Sequence, residues 1–313
     1  MSKFLVTGGA GFIGSEIVNK LIEDGHDVVV VDDLSTGHLE NLNSVLDNKH
    51  LRFIKGSVTD FNLCLQESVG MDYIIHQAAL VSVPKSTEVP IENHERNITG
   101  FLNILECMRI NKIKKLVYAS SSAVYGDDSL QIKEENKIGN SLSPYALSKY
   151  VDELYAKLYA RLYGVKSIGL RYFNVYGAKQ DPSSPYSGVI SVFFARLMKG
   201  LDINIYGDGQ VERDFINVAD VARANVLACF SEIDNEVYNV GTGIKTNILE
   251  LAEMIMKITN STNKINFLPP RIGDIKYSCS NSQKIKRDLG FVYEIDLYAG
   301  LEEIYCIKNK EKC

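Results

Sequence analysis

Tyr145 and Lys149 lie four residues apart in the run Ser143-Pro144-Tyr145-Ala146-Leu147-Ser148-Lys149. Pro144 suits the first turn of a helix and Ser143 its N-cap. The stretch to Tyr163, rich in Leu, Ala, Tyr and Lys, predicts that helix. On it the two side chains share a face. A phenol with a pKa of about 10 is a poor base at neutral pH, but a fixed ammonium beside it favours the phenolate. Such a pair can take a proton from a hydroxyl and return it. An isolated Tyr-x-x-x-Lys is usually just a solvated helix face. Here it follows a glycine-rich loop and a serine triplet, Ser120-Ser121-Ser122, placed at the end of a strand predicted over 115–119.

The glycine loop is Gly8-Gly9-Ala10-Gly11-Phe12-Ile13-Gly14. A strand over 3–7 precedes it, a helix over about 15–24 follows, and the all-Val stretch 28–31 ends at Asp32-Asp33. This predicts a βαβ unit with the loop at its first turn. Glycines spaced three apart permit a tight turn and close backbone approach to a pyrophosphate, and the helix N-terminus supplies amides. Asp32, 18 residues after Gly14, is placed to accept from an adenosine ribose; its charge would repel a 2′-phosphate, so NAD is expected rather than NADP.

Further strands are expected over 51–54, 73–76 and 166–172, with 56–60 a loop near the adenine and 81–86 an irregular loop. A helix over about 91–111 precedes the Ser-ending strand, and 127–142 reads as loop. Alternation weakens after Tyr172, and a boundary is placed near 175. Beyond it, helices are expected over 190–199, 218–230, 246–259, 283–289 and 299–308, and short strands over 203–206 and 237–240. The fold class is therefore α/β, a Rossmann-type doubly wound parallel sheet with a smaller α/β C-terminal domain. Residues 1–175 would hold the cofactor, with 215–240 returning to that domain, and 176–313 mainly the substrate.

The chain of 313 residues is 45% apolar and 23% charged, with net charge −5. Disorder is not expected, and no basic block suggests nucleic acid. No apolar run reaches membrane-spanning length and no signal peptide is read. Six cysteines without a C-x-x-C and five histidines without metal spacing give no metal centre and fit a reducing cytoplasm.

With these residues in view, the chain resembles the extended short-chain dehydrogenase/reductase superfamily over essentially its whole length, and within it the NAD-dependent UDP-hexose 4-epimerases. The glycine loop, His76-Gln77-Ala78-Ala79, the Ser triplet with Val124-Tyr125-Gly126, and Tyr145-x-x-x-Lys149 carry the likeness. So do Arg171-Tyr172-Phe173-Asn174, Arg213-Asp214-Phe215-Ile216 and Arg271-x-Gly273-Asp274. The resemblance implies that Tyr145 removes the sugar 4-hydroxyl proton while hydride passes from C4 to the nicotinamide. The 4-keto sugar then turns over and takes the hydride back on its other face. Ser121 would bond the same oxygen, and Lys149 would tune Tyr145 and bind the nicotinamide ribose.

The same resemblance implies a cofactor site of Gly8, Gly11, Phe12, Ile13, Asp32, Asp33, Ser57, Val58, Ala78, Ala79, Asn97 and Tyr172, besides Tyr145 and Lys149. The substrate would meet Ser82, Val83, Ser121, Ser122, Tyr145, Asn174, Val189, Tyr206, Arg213, Arg271, Asp274 and Ser278. The segment Arg171 to Asn174 would lie near the diphosphate, with Arg213 and Arg271 on the UDP phosphates. Dehydratases of the superfamily carry Asp-Glu where this chain has Ser122 and Ala123, and decarboxylases carry Glu where it has Ala123. Ser57 stands where relatives usually have Asp contacting the adenine, which implies either weaker NAD affinity or a contact shifted to Asp60. Ile272 stands where Glu is usual, and the resemblance offers no account of it.

Several runs look like the epimerases that favour N-acetylated sugars: 138–145, 79–84 and 180–182. Ser278 falls at the family's gate over the sugar 2-position, where a small residue leaves room for an acetamido group. Counted from Gly273-Asp274, a slip of one would put Tyr277 there and invert the inference. The expectation is interconversion of UDP-GlcNAc and UDP-GalNAc. The alternatives are the UDP-glucose/UDP-galactose pair, a nucleotide-sugar dehydratase or decarboxylase, and a non-catalytic NAD-binding regulator. Relatives commonly dimerise through the helices holding 91–111 and 144–163, so a homodimer is expected.

Overall fold

In a computed structural model, which describes residues 1–181, 188–270 and 275–310, apolar runs flanked by turn residues become the strands of a seven-stranded sheet. The first half of the chain runs β1 (Lys3–Thr7), α1 (Phe12–Glu23), β2 (Asp27–Asp32), β3 (Leu51–Lys55), α2 (Phe61–Glu67), β4 (Tyr73–His76), α3 (Val83–Glu88), α4 (Pro90–Asn93), α5 (Gly100–Asn111), β5 (Lys115–Ser121), β6 (Ile132–Lys133) and α6 (Pro144–Tyr163). The second half runs β7 (Ser167–Tyr172), β8 (Asn174–Tyr176), α7 (Val189–Leu197), β9 (Ile203–Tyr206), β10 (Glu212–Arg213), β11 (Phe215–Asn217), α8 (Val218–Phe230), β12 (Glu236–Val240), β13 (Thr246–Asn247), α9 (Ile248–Ile258), β14 (Ile265–Leu268), β15 (Tyr277–Ser280), α10 (Gln283–Leu289) and α11 (Leu297–Lys310).

The large sheet has the order β12-β7-β5-β4-β1-β2-β3, and every neighbouring pair in it is parallel. Strands buried on both faces read as continuous apolar runs, which is why Val28–Val31 and Ile74–Ile75 were legible. One layer of core packs α1 and α8 on the sheet through Ile17, Val18, Leu21, Val221 and Ala224. The other packs α2, α5 and α6 through Cys64, Phe101, Ile104, Leu105 and Ala156. A separate cluster joins Phe193 and Phe194 of α7 to Leu251 and Ile255 of α9 and to Leu301 and Ile304 of α11. The order reverses between β1 and β4, so the strand ends there open a crevice for ligands. Gly8, at φ +70, sits in it; a Cβ there would lie 2.6 Å from the Ala78 amide nitrogen.

Three local expectations are corrected. The first helix begins at Phe12, with Gly11 as N-cap, because Gly14 lies inside the helix, where a side chain would strike the Gly8 carbonyl. The 81–86 stretch is not irregular: Ser82 caps α3, accepting from the Lys85 amide at 3.1 Å, and Pro84 occupies the first turn. The stretch 90–111 is helical but widens into a π turn over His94–Thr99. Asn174–Tyr176, where no element is expected, forms a short strand that pairs with Phe215–Asn217. In addition, Ile132–Lys133 within the expected loop joins the four-stranded sheet β13-β10-β15-β6.

Candidate active site

Ser143 Oγ accepts from the Ala146 amide at 3.1 Å, Pro144 fills the first turn, and α6 starts there. The helix is clamped at this end. Ser86 Oγ accepts from the Tyr145 amide at 3.1 Å, and Asn97 donates to Ser148 Oγ at 3.0 Å. Tyr145 and Lys149 are both buried, Lys149 to 2% exposure. The ammonium lies 3.4 Å from Asp152 Oδ2, one helical turn on.

Ser121 ends β5 in register with Tyr172 of β7. Its Oγ accepts from the Ala123 amide at 3.1 Å, which leaves its own O–H to donate. Ser122 opens a short 3₁₀ turn that runs to Tyr125. Tyr172 is buried and its hydroxyl joins Gln77 Nε2 at 3.0 Å and Asn225 at 2.8 Å; burial raises its pKa above the ordinary phenol value. His76 is wholly buried, its Nδ1 2.7 Å from Thr7 Oγ1. Burial, then the Lys149 charge, push its pKa down to about 3, so the ring is neutral.

Around the glycine loop, Asp32 accepts from the Ala10 and Leu34 amides at 2.9 and 2.8 Å. Burial raises its pKa, and those two amides only partly offset it. Burial also pushes Asp33 up, but hydrogen bonds from Ser35 and the Arg96 guanidinium outweigh it and leave it lowered. Ser57 Oγ lies 2.8 Å from Thr59 Oγ1, and Asp60 caps α2 by accepting from the Leu63 amide. Val58 is buried under Gly100. Asn97 is saturated by protein: it exchanges hydrogen bonds with the Leu80 backbone and donates to Asn93 and Ser148. Its amide ties the loop after β4 to α6.

In the C-terminal part, Asn174 donates to the Asp214 carbonyl, Val189 starts α7 and the half-exposed Tyr206 ends β9. Val83, at the start of α3, is exposed, whereas Ser82 is buried. Arg213 Nη1 donates to the Ile275 carbonyl at 2.7 Å. In the parallel pair β10–β15, Arg213 stands beside Ser278 and Glu212 beside Tyr277. Paired residues of parallel strands share a sheet face, so Ser278 lies on the face of Arg213. Tyr277 lies on the other, its ring 6.0 Å from the ammonium of Lys245, itself 3.4 Å from Glu212. Arg271, Ile272, Gly273 and Asp274, and Pro182 to Ser187, lie outside the described residues. Among the described residues no group of His, Cys, Asp or Glu is arranged to hold a metal.

Arg171 does not reach the crevice. Its guanidinium grips Glu153 at 2.8 and 2.7 Å, with Tyr125 and the Glu135 carbonyl as further acceptors, at 2% exposure. Two other residues escaped the sequence reading. Arg96 in the π turn bonds Asp33 and Ser35, and the Asp214 carboxylate accepts from Thr242, Gly243 and Ser280. Only the Arg-Asp-Phe run hinted at the second.

The model of the NAD dependent epimerase/dehydratase family matches residues 4–241. The chain belongs to that family. Over 311 residues it is 35% identical to a UDP-glucose 4-epimerase of Mycolicibacterium smegmatis, covering 98% of this chain and 99% of the other. It superposes with TM-score 0.95 and 37% identity on a UDP-N-acetylglucosamine 4-epimerase of Methanobrevibacter ruminantium solved with UDP-N-acetylmuramic acid, covering 99% of each. The Thermotoga maritima UDP-glucose 4-epimerase with UDP-glucose gives 0.94 and 38%, over 99% of this chain and 100% of that one. This epimerase is thus an isomerase, an NAD-dependent nucleotide-sugar 4-epimerase.

The epimerase's own crevice fits the cofactor. Gly11 caps α1 without a side chain and no acid stands in the first turn, so the helix end can receive a pyrophosphate. A Cβ on Gly11 would meet only the Gly8 carbonyl, at 3.2 Å. Among the described residues, no helix of the epimerase is long and apolar enough to cross a membrane.

Proposed function

We propose that this epimerase interconverts UDP-GlcNAc and UDP-GalNAc. The observation that carries the choice is the pairing of Ser278, not Tyr277, with Arg213. If Arg213 holds the diphosphate, a small side chain stands on the substrate's face of the sheet, which leaves room for a 2-acetamido group. The likeness to the Methanobrevibacter ruminantium enzyme supports the same reading.

NAD, when bound, supplies a hydride acceptor and donor at C4 of the sugar. Tyr145 takes the 4-hydroxyl proton and returns it; Ser121 donates a hydrogen bond to the same oxygen. Lys149 presents its ammonium to the phenol and to the nicotinamide ribose. The glycine loop and Asp32 hold pyrophosphate and ribose. Residues 1–175, with 215–240, form the cofactor half, and 176–313 mainly the UDP-sugar half. Leu147, Leu154 and Leu162 of α6 and Ile91 of α4 are exposed, and this apolar stripe supports a homodimer.

The test is to incubate purified protein without added NAD, separately with UDP-GlcNAc and UDP-glucose, and identify products by NMR. UDP-GalNAc forming much faster than UDP-galactose supports the assignment. The reverse preference contradicts it and favours the non-acetylated pair, and a 4-keto-6-deoxy product contradicts the proposal altogether.

A further inference from the structure

Asp152 lies in the third turn of α6, fully buried. Oδ2 is 3.4 Å from the Lys149 ammonium, while Oδ1 is buried and finds no hydrogen-bond partner among the described residues. A carboxyl so placed is costly to ionise unless something compensates it. We propose that Asp152 is a positioning residue for the epimerisation: its carboxyl fixes the Lys149 ammonium, and its protonation state governs how much of that positive charge reaches the Tyr145 phenol. The inference rests on Tyr145 and Lys149 carrying the chemistry.

The surroundings single Asp152 out. On the same helix, Glu153 is engaged by Arg171 of β7 and by Ser120 Oγ at 2.6 Å. From β5 the Tyr118 phenol faces both acids, and burial followed by their charges raises it well above the ordinary value. From β4 the neutral His76 faces Lys149. Several other charged groups on packed elements are engaged elsewhere: Arg96 with Asp33 and Glu92, Glu106 of α5 with Arg109 and Tyr159, and Lys115 of β5 with Asp234. Tyr125 is bonded to Asn239 and Arg171. Burial pushes Asp152 up to about 7, with Lys149 pulling the other way. Its charge therefore changes in the working pH range, next to a lysine that has no other carboxylate within ion-pair distance among the described residues.

When Asp152 is ionised it shares the ammonium and weakens the positive field at Tyr145; when protonated it releases that field. Coupled groups titrate in joint steps. The acid limb of the kcat/KM profile is thus spread over two ionisations in the native enzyme. In Asp152→Asn, a permanently neutral isostere, it is a single ionisation lying about one pH unit lower. Stability gives a second readout. A folded-state pKa above the unfolded value contributes stability that is complete below the unfolded value and lost as pH rises through the folded one. The Tm advantage of Asp152→Asn over the native enzyme therefore grows between about pH 4 and 8.

The experiment measures both profiles on native enzyme, Asp152→Asn and Tyr145→Phe. The sugar is whichever of UDP-GlcNAc and UDP-glucose the native enzyme converts faster. Superimposable limbs for native and Asp152→Asn, with Tyr145→Phe inactive, overturn the proposal alone; an active Tyr145→Phe overturns the underlying reading instead. If Asp152→Asn does not fold, 13C NMR of aspartate-labelled native enzyme decides: a carboxyl titrating above pH 6 supports the proposal, and none contradicts it.

Discussion

Tyr145, Lys149 and Ser278 carry the functional reading, and Tyr145 and Ser278 make separable predictions. Tyr145→Phe removes the proton acceptor and keeps the ring, so turnover should fall about 10²- to 10⁴-fold with retained NAD, measured by release on denaturation, unchanged. In the proposed pocket, Ser278→Tyr fills the space over the sugar 2-position. Overpacking of one to a few kcal/mol should cut UDP-GlcNAc turnover about 10- to 100-fold and spare UDP-glucose; equal loss on both sugars contradicts the gate. The spacing of Tyr145 and Lys149 was legible because a helix period puts them together. Asp152 and Glu153 were not: on a helix rich in Lys and Tyr, two acids read as a solvated face, and only the fold shows both buried.

At the scale of elements, α6 is set by Ser143 and held by Glu153. Ser143→Ala should cost about 1 kcal/mol as a lost cap, read as a Tm lower by about 2 °C. Glu153→Gln leaves the Arg171 guanidinium buried with its charge uncompensated, which should cost about 3–5 kcal/mol in guanidinium chloride unfolding. A cost under 1 kcal/mol contradicts its role as anchor. The central strands were legible because fully buried parallel strands are continuous apolar runs. The start of α3 was not. Val83-Pro84 is a poor helix signal by propensity, and the Ser82 cap outweighs it. The π turn over His94–Thr99 has no sequence period of its own, yet it delivers Arg96 to Asp33 and Asn97 to Leu80. Short pairs such as β8 with β11 exist only through their tertiary partner.

For the whole molecule, the α6 stripe predicts association. Leu154→Glu should convert a dimer to a monomer in light scattering behind size exclusion; an unchanged mass contradicts that interface. Fading strand–helix alternation suggested the proposed boundary between a cofactor half and a sugar half, while the face that Ser278 shares with Arg213 needed the β10–β15 register. In the proposed reaction the hydrogen leaving C4 of an N-acetylated sugar comes back to the same carbon on its other face. UDP-GlcNAc deuterated at C4 tests this directly. The predicted product is UDP-GalNAc with the deuterium still at C4 and no added NAD required. Deuterium replaced by solvent hydrogen, or turnover of C4-deuterated UDP-glucose with none of the N-acetylated sugar, would contradict it.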